Sequence, residues 1–294
     1  MTIIPPPKNI VELSVRDKRN QPEVTEILKN VLMNLGVGSQ DIVEYNQDGI
    51  QEVATFFFSL PKAKQFKMKI DRLGLKNIKT QLTILKRSDW QDKWKRDFVP
   101  FHLTERLDIV PVWRKSQYRP GKNREPILLD TITAFGTGLH DTTRFMAQLI
   151  EDCRGRFERF LDIGTGTGIL SLVAFKCQAK YICAIDVDKE CIGVARSNAG
   201  LNKSLMNRLE TIDLMDFKFE EPFDYVAANL ITHDLIRLKR KIFSLVRPDK
   251  FLAVSGISLE NAPRLKREFK KLSLRCLRIY KSPHWAAFLY KKIL

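Results

Sequence analysis

Three features of the sequence predict an α/β fold in two parts. Residues 11–86 order themselves as β-α-β-β-α-β, and from about Pro126 strands and helices alternate. A loop with three glycines at alternate positions, Gly164, Gly166 and Gly168, joins the first strand of that alternation to its helix. At 294 residues and 44% apolar composition, the chain can fill a small core beside a medium one.

The first part begins with Val11–Arg16, which alternates apolar and polar side chains like a half-buried strand. Val24, Ile27, Leu28, Val31, Leu32 and Leu35 then follow helical spacing after Pro22, and Gly36 stops the run. Extended runs at 41–45 and 51–59 flank Asn46-Gln47-Asp48-Gly49, a hairpin signal. Pro61 opens a second helix that Gly74 closes, and 78–86 alternates again. That order makes 1–87 a small ferredoxin-like α+β domain. Its 61–87 stretch holds nine Lys/Arg against one acid, Asp71, which suits a solvated helix face or a docking face.

Residues 88–125 read as a connector. Trp90 and Trp94 fall on one face of a helix capped by Ser88 or Asp89, and Pro100, Pro111, Pro120 and Gly121 break up the rest. Within 126–294, Ile127-Leu128-Leu129 is extended and a helix runs from about Thr143 to Asp152. Strands are expected at 159–163, 181–187, 209–212, 223–228 and 251–255, with helices at 169–177, 190–198, 234–246 and 262–271. Pro248 stops the third of these helices, and two last strands at 274–280 and 285–291 form an antiparallel pair. Alternation of this kind gives a Rossmann-like sheet, here of seven strands.

The loop between the first strand and its helix reads Asp162-Ile163-Gly164-Thr165-Gly166-Thr167-Gly168-Ile169. A dinucleotide fingerprint, G-x-G-x-x-G, needs glycine at 169, where this chain has Ile169. G-x-G-x-G after a strand ending in an acid is the loop form of S-adenosylmethionine (SAM) methyltransferases. Open α/β sheets bind ligands at the carboxyl ends of their strands, and that edge carries Asp162, the three glycines, Asp186, Asp213 and Asn229. Asp186, twenty-two residues after the first glycine, can accept hydrogen bonds from both hydroxyls of an adenosine ribose. The competing role, capping the next helix, is better filled by Asp188. Asp213 suits either the adenine amino group or a turn. The side-chain carbonyl of Asn229 can orient the N–H bonds of an acceptor amine. His140 suits a base, a ligand or a hydrogen-bonded structural residue.

Five scattered cysteines and four dispersed histidines show no metal-ligand spacing, so no metal is expected. No apolar run approaches membrane-spanning length and no signal-peptide core is present, which makes the cytosol the expected compartment. The formal charge of +16 suits a polyanionic partner or a generally basic proteome.

With these residues in view, the chain resembles the PrmA family, the methyltransferases of ribosomal protein L11. The resemblance rests on Asp89-Trp90…Trp94…Phe98…Pro100 followed by Glu105-Arg106-Leu107 and Pro111-x-Trp113. It rests also on Ala134-Phe135-Gly136-Thr137-Gly138-x-His140 with Thr142-Thr143, on the glycine loop with Asp186-Val187-Asp188, and on Ala228-Asn229 with Ser255-Gly256-Ile257. It implies SAM as cofactor, contacted by Thr143, Gly164, Asp186 and Asn229. The loop from Phe135 to His140 would lie over SAM, with Thr137 near the methionine part. It further implies a ferredoxin-like domain that grips a large-subunit ribosomal protein, methylated on lysine or α-amino groups. A monomer is expected, with ribosomal RNA contact through the basic surface. An RNA methyltransferase, with 61–87 and the C-terminal region as its footprint, and a SAM-binding module without this activity are the alternatives.

Overall fold

The computed structural model describes residues 9–17, 28, 31–32, 42–47, 50–57, 60–75, 77–86, 98–130, 138–204 and 206–293. The chain divides into two compact units, Met1–Asp97 and Phe98–Leu294.

In the first unit, β1 (Asn9–Asp17), β2 (Ile42–Gln47), β3 (Ile50–Phe57) and β4 (Ile78–Lys86) form an antiparallel sheet in the order β2-β3-β1-β4. The alternation of β1 sends Val11, Leu13 and Val15 into the core, where Leu28 and Leu32 meet them. Leu28, Val31 and Leu32 are helical, as their spacing predicts, and the rest of that run lies outside the described residues. Helix α1 (Leu60–Arg72) buries Ala63 and Ile70 and exposes Lys62, Lys64 and Lys69. The tryptophans Trp90 and Trp94 lie outside the described residues.

The second unit holds a seven-stranded sheet and a smaller one of three strands. The small sheet is β5 (Phe101–His102), β6 (Leu107–Pro111) and β7 (Glu125–Leu129), formed where the sequence reads as a broken connector. Its centre is Asp108, 3% exposed, which accepts hydrogen bonds from Arg124 Nε (2.7 Å), Arg124 Nη2 (2.5 Å) and Tyr118 Oη (2.6 Å) and lies 2.6 Å from His102 Nδ1. The same guanidinium donates to the carbonyls of Thr104 and Leu107, so one cation ties the turn before β6 to the start of that strand.

Helix α2 (Asp141–Glu151) precedes the large sheet. Its elements run β8 (Arg159–Ile163), α3 (Ile169–Lys176), β9 (Tyr181–Asp186), α4 (Lys189–Leu201), β10 (Arg208–Thr211), β11 (Phe223–Asn229), α5 (Thr232–Leu245), β12 (Val246–Ser258), α6 (Ala262–Phe269), β13 (Leu274–Lys281) and β14 (Trp285–Lys292). The strand order is β10-β9-β8-β11-β12-β14-β13. Strands β8 to β12 pair in parallel, and β14 runs antiparallel to both its neighbours. Right-handed crossovers put α3 and α4 on one face and α5 and α6 on the other. At the amino edge Asp224, 4% exposed, accepts the N–H groups of Glu158 and Arg159 and a hydrogen bond from Arg247. No helix among the described residues is long and apolar enough to cross a membrane.

Burial alone would raise the Asp108 pKa; the hydrogen bonds and charge of Arg124, with Tyr118 and His102, outweigh it and hold the carboxyl at about 2. The folded value lies below the ordinary one. The stabilisation is therefore complete above the ordinary value of 3.8 and is lost as pH falls from there to about 2. Asp108→Asn leaves the Arg124 guanidinium without its counter-charge and is expected to cost about 3 kcal/mol at neutral pH, read as a lower urea midpoint. An unchanged midpoint would remove Asp108 from the centre of this sheet.

Candidate active site

Strand order in the large sheet reverses between β8 and β11, so their carboxyl ends flank the crevice where open α/β sheets hold ligands. The two strands pair Ile163 with Ala228, which sets Gly164 and Asn229 side by side at that point.

The glycine loop leaves β8 with positive φ at all three glycines: 72° at Gly164, 55° at Gly166 and 81° at Gly168. The φ at Gly164 is one that L side chains rarely adopt, and a Cβ there would also press on Leu230 Cδ2 at 2.8 Å, so glycine is favoured first by its backbone conformation. The loop is tied to β9 by the N–H groups of Gly164 and Thr165, both donating to the Ile185 carbonyl at 2.9 and 3.1 Å. Asp186, at the end of β9, accepts the N–H of Gly166 at Oδ2 and that of Asp188 at Oδ1, both at 3.0 Å. Asp188 is the helix cap, accepting the N–H of Glu190 at 2.8 Å, and Asp186 is left to the crevice.

Asp162 is fully buried beneath the loop. Its Oδ2 accepts the hydroxyls of Thr165 and Ser171 at 2.8 Å and the Ser171 N–H at 3.1 Å. Burial pushes its pKa up to about 6, and the hydrogen bonds from Ser171 and Thr165 limit the rise. Of the edge acids named from sequence, Asp162 therefore supports the loop from below, while Asp186 and the exposed Asp213 stand at its rim. Asp213 accepts the Met215 N–H at 2.8 Å, a turn contact.

On the other side of the crevice, His140 caps α2. Its Nδ1 lies 2.7 Å from Thr142 Oγ1 and accepts the Thr142 N–H at 3.3 Å, while its ring meets Trp285 edge-on at 5.0 Å. Asn229 Nδ2 donates to Thr142 Oγ1 at 3.4 Å. The three side chains form a row: the amide donates to the hydroxyl, the hydroxyl donates to Nδ1, and the ring proton sits on Nε2. That order turns the Asn229 carbonyl oxygen away from Thr142. Burial holds the His140 pKa below its ordinary value, with Asp141 opposing it, so the ring is neutral at pH 7. Thr143 is buried one position further on, its N–H donating to the His140 carbonyl. Phe135 and Thr137 lie outside the described residues.

Two features escape the sequence. Thr142, which the sequence marks only as part of a motif, is the hinge of the polar row, a role its local pattern does not assign. Val187 (71% exposed), Met215 (58%) and Ile231 (64%) are large apolar side chains left open one or two positions after Asp186, Asp213 and Asn229. Each polar rim residue thus has an apolar neighbour, which suits a ligand with both ring and hydroxyl groups. The crevice therefore offers a bare loop for a close-lying chain, a carboxylate for vicinal hydroxyls and apolar surface for a ring. These are the parts SAM needs.

The turn after Asn229 is seated on β12: the Leu230 N–H donates to the Ser255 carbonyl, and a Cβ at Gly256 (φ 83°) would fall 2.2 Å from the Leu230 oxygen. Gly155 has a similar φ of 74° but nothing within 4 Å. Gly155→Ala is therefore expected to cost about 1 kcal/mol of backbone strain, and Gly256→Ala clearly more. Calorimetric midpoints that fall equally would unseat the turn.

A family model described as "Ribosomal protein L11 methyltransferase (PrmA)" matches residues 13–293. The chain is similar to the ribosomal protein L11 methyltransferase of Ruminiclostridium cellulolyticum, at 33% identity over 205 residues covering 69% of this chain and 64% of the relative. It is equally similar to that of Geobacter metallireducens, at 33% over 210 residues covering 71% and 68%. The first of these alignments spans just under two thirds of the relative's own length. The crystal structure of ribosomal protein L11 methylase from Lactobacillus delbrueckii subsp. bulgaricus superposes with a TM-score of 0.62 at 28% identity, over 67% of this chain and 100% of that one. With the crevice built as described and the match running from one unit into the other, the chain belongs to the PrmA family of ribosomal protein L11 methyltransferases.

Proposed function

We propose that the chain is a SAM-dependent protein N-methyltransferase that modifies lysine or α-amino groups of ribosomal protein L11 in the cytoplasm, acting as a monomer. The observation that carries the reading is the row His140–Thr142–Asn229 standing across the crevice from the glycine loop. SAM, when bound, supplies a sulfonium methyl open to displacement. The residues that would hold it are Gly164, Gly166 and Gly168 along the loop, Asp186 at the ribose, Val187 and Met215 beside the ring, and Thr143 and Asn229 at the reacting end. Phe135, Thr137 and Asp213 complete the proposed set.

The acceptor must arrive as a neutral amine. A free lysine, with pKa near 10.4, is neutral about once in a thousand molecules at pH 7, a deficit of roughly 4 kcal/mol. Desolvation in the crevice favours the neutral form. The outward oxygen of Asn229 then accepts one amine N–H and aims the lone pair, with Thr142 fixing the amide. The apolar Ile231 supports this reading by keeping water from the amine's approach.

The first unit is proposed to be ferredoxin-like, covering 1–87, and to grip the protein substrate; the strand order β2-β3-β1-β4 supports this. Residues 88–125 would then lead to the methyltransferase domain at 126–294. Ribosomal RNA beside the protein substrate is the proposed partner of the basic surface.

Incubation with methyl-labelled SAM and ribosomes from the source organism tests the reading. Label is expected on one small ribosomal protein, and label on RNA would overturn the substrate. Asp186→Ala is expected to weaken SAM binding by calorimetry at least about tenfold, the loss of two hydrogen bonds to a charged group. Unchanged affinity would remove Asp186 from the site.

A further inference from the structure

The charge of this chain is unevenly placed. Helices α5 and α6, which cover one face of the large sheet, carry seven Lys/Arg against two acids, Asp234 and Glu268. Helices α2, α3 and α4 carry four against three. A proteome-wide excess of base would raise both layers alike, so the excess on one layer is a property of that surface. Its two acids are already taken: Glu268 pairs with Lys239, tying α5 to α6, and with Lys271, and Asp234 pairs with Arg237. Arg240, Arg264, Arg267 and Lys270 are exposed and make no ion pair among the described residues. Each alone is an ordinary solvated side chain. Three uncompensated cations on two packed helices, with Lys270 capping α6, form an extended field instead.

At the foot of α5 this surface opens into a cavity of about 480 Å³ lined by Arg159, Tyr181, Arg208, Lys218, Phe219 and Phe223, with Glu220 among its walls. The cavity and the helices are continuous, because Lys241 of α5 donates to the Phe217 carbonyl at 2.8 Å and stands 5.8 Å from the Phe219 ring. It lies at the amino ends of β8, β9, β10 and β11, opposite the cofactor crevice. The Arg159 guanidinium lies over the Tyr181 ring at 4.2 Å, and its buried Nε makes no hydrogen bond but lies 3.8 Å from Glu221 Oε2. Arg208 covers Phe217 at 4.8 Å, and Phe217 stacks with Phe219. Flat cations and rings around a nucleotide-sized space are what an unpaired base stacks on, and cations along the approach are what its backbone follows.

We propose that the α5–α6 face binds single-stranded RNA through its phosphates, with one unpaired nucleotide seated in the Arg159–Phe219 cavity. This deepens the proposed ribosomal setting, which rests on the reading above, by naming the surface that meets the RNA. An acidic protein segment could follow the cations but has no use for the stacking planes, and a membrane surface has no flat base to seat among them.

Anisotropy titrations of the full chain with a labelled, unstructured RNA of about twenty nucleotides test the assignment. The four-fold variant Arg240→Glu, Arg264→Glu, Arg267→Glu and Lys270→Glu is expected to lose at least about tenfold in affinity near ~0.1 M salt. Its log–log salt slope should become shallower by about 3, as four phosphate contacts require. Phe219→Ala should weaken binding several-fold with the slope unchanged, since stacking releases no counterions. Lys62→Glu, Lys64→Glu and Lys69→Glu on α1 should leave binding near wild type. The inference is overturned if the α5–α6 reversals bind as wild type, if the α1 reversals carry the loss instead, or if poly-glutamate or anionic phosphatidylserine vesicles bind as tightly as RNA. Methyl transfer to free L11 is measured in parallel and should survive the four-fold change. A chain that binds RNA through this face yet methylates no ribosomal protein would sink the proposed function and leave the surface assigned.

Discussion

A backbone that must lie bare against its ligand cannot be shaped by its own side chains, and the 164–168 loop is accordingly held from outside. Asp186 takes the Gly166 N–H, and Asp162 takes two hydroxyls and a backbone N–H from beneath. From α4, the fully buried Asn198 donates to the Thr167 carbonyl at 2.9 Å and accepts the Asp130 N–H at 2.8 Å. One turn on, Asn202 pairs with both backbone groups of Leu128, at 2.8 and 2.7 Å, as a neighbouring strand would. The brace therefore continues into β7, and through Asp108 and Arg124 into β5 and β6. A carboxylate as deeply buried as Asp162 is costly by itself, and its pKa near 6 records that cost. It persists because removing it would free three donors at the point where the loop turns into α3.

The large sheet was legible in the sequence because its determinants are local. Buried strands read as short apolar runs, and the loop glycines are forced by sterics. Asp188 could be picked as the helix cap by position alone, and its contact with the Glu190 N–H bears that out. The small sheet was not legible because its bonds are distant: Arg124 reaches back sixteen residues to Asp108, and Asn202 reaches seventy-four to Leu128. No window of local periodicity contains both partners. The expected strand at 251–255 begins earlier, at Val246, although Pro248 reads as a stop. The register slips there, with Phe223 opposite Val246 and Tyr225 opposite Phe251, so Pro248 sits where it has no ladder N–H to lose. The polar row of the crevice failed for the same reason as the small sheet. Thr142 and Asn229 lie eighty-seven residues apart, and only the meeting of α2 with the end of β11 joins them.

Charge is the property for which the sequence total misled most, since +16 says nothing of arrangement. The crevice rim is acidic, with Asp186, Asp188 and Asp213 at strand ends and Asp141 in the first turn of α2. Acids there suit a site that would handle a sulfonium cation and release a methylated ammonium. Within the second unit, a base excess stands on α5 and α6 and at the opposite end of the strands, and a further one on α1 of the first unit. At physiological salt, exposed charges act over about 8 Å, so two such regions on one sheet are electrostatically distinct although their helices are continuous. A uniformly basic surface would repel a basic ribosomal protein as it approached. On α5 and α6, cations can hold RNA on helices that pack away from the acidic rim residues. On the proposed reading, the share of the net charge on α5 and α6 serves the RNA, while the acidic rim faces the cationic substrate.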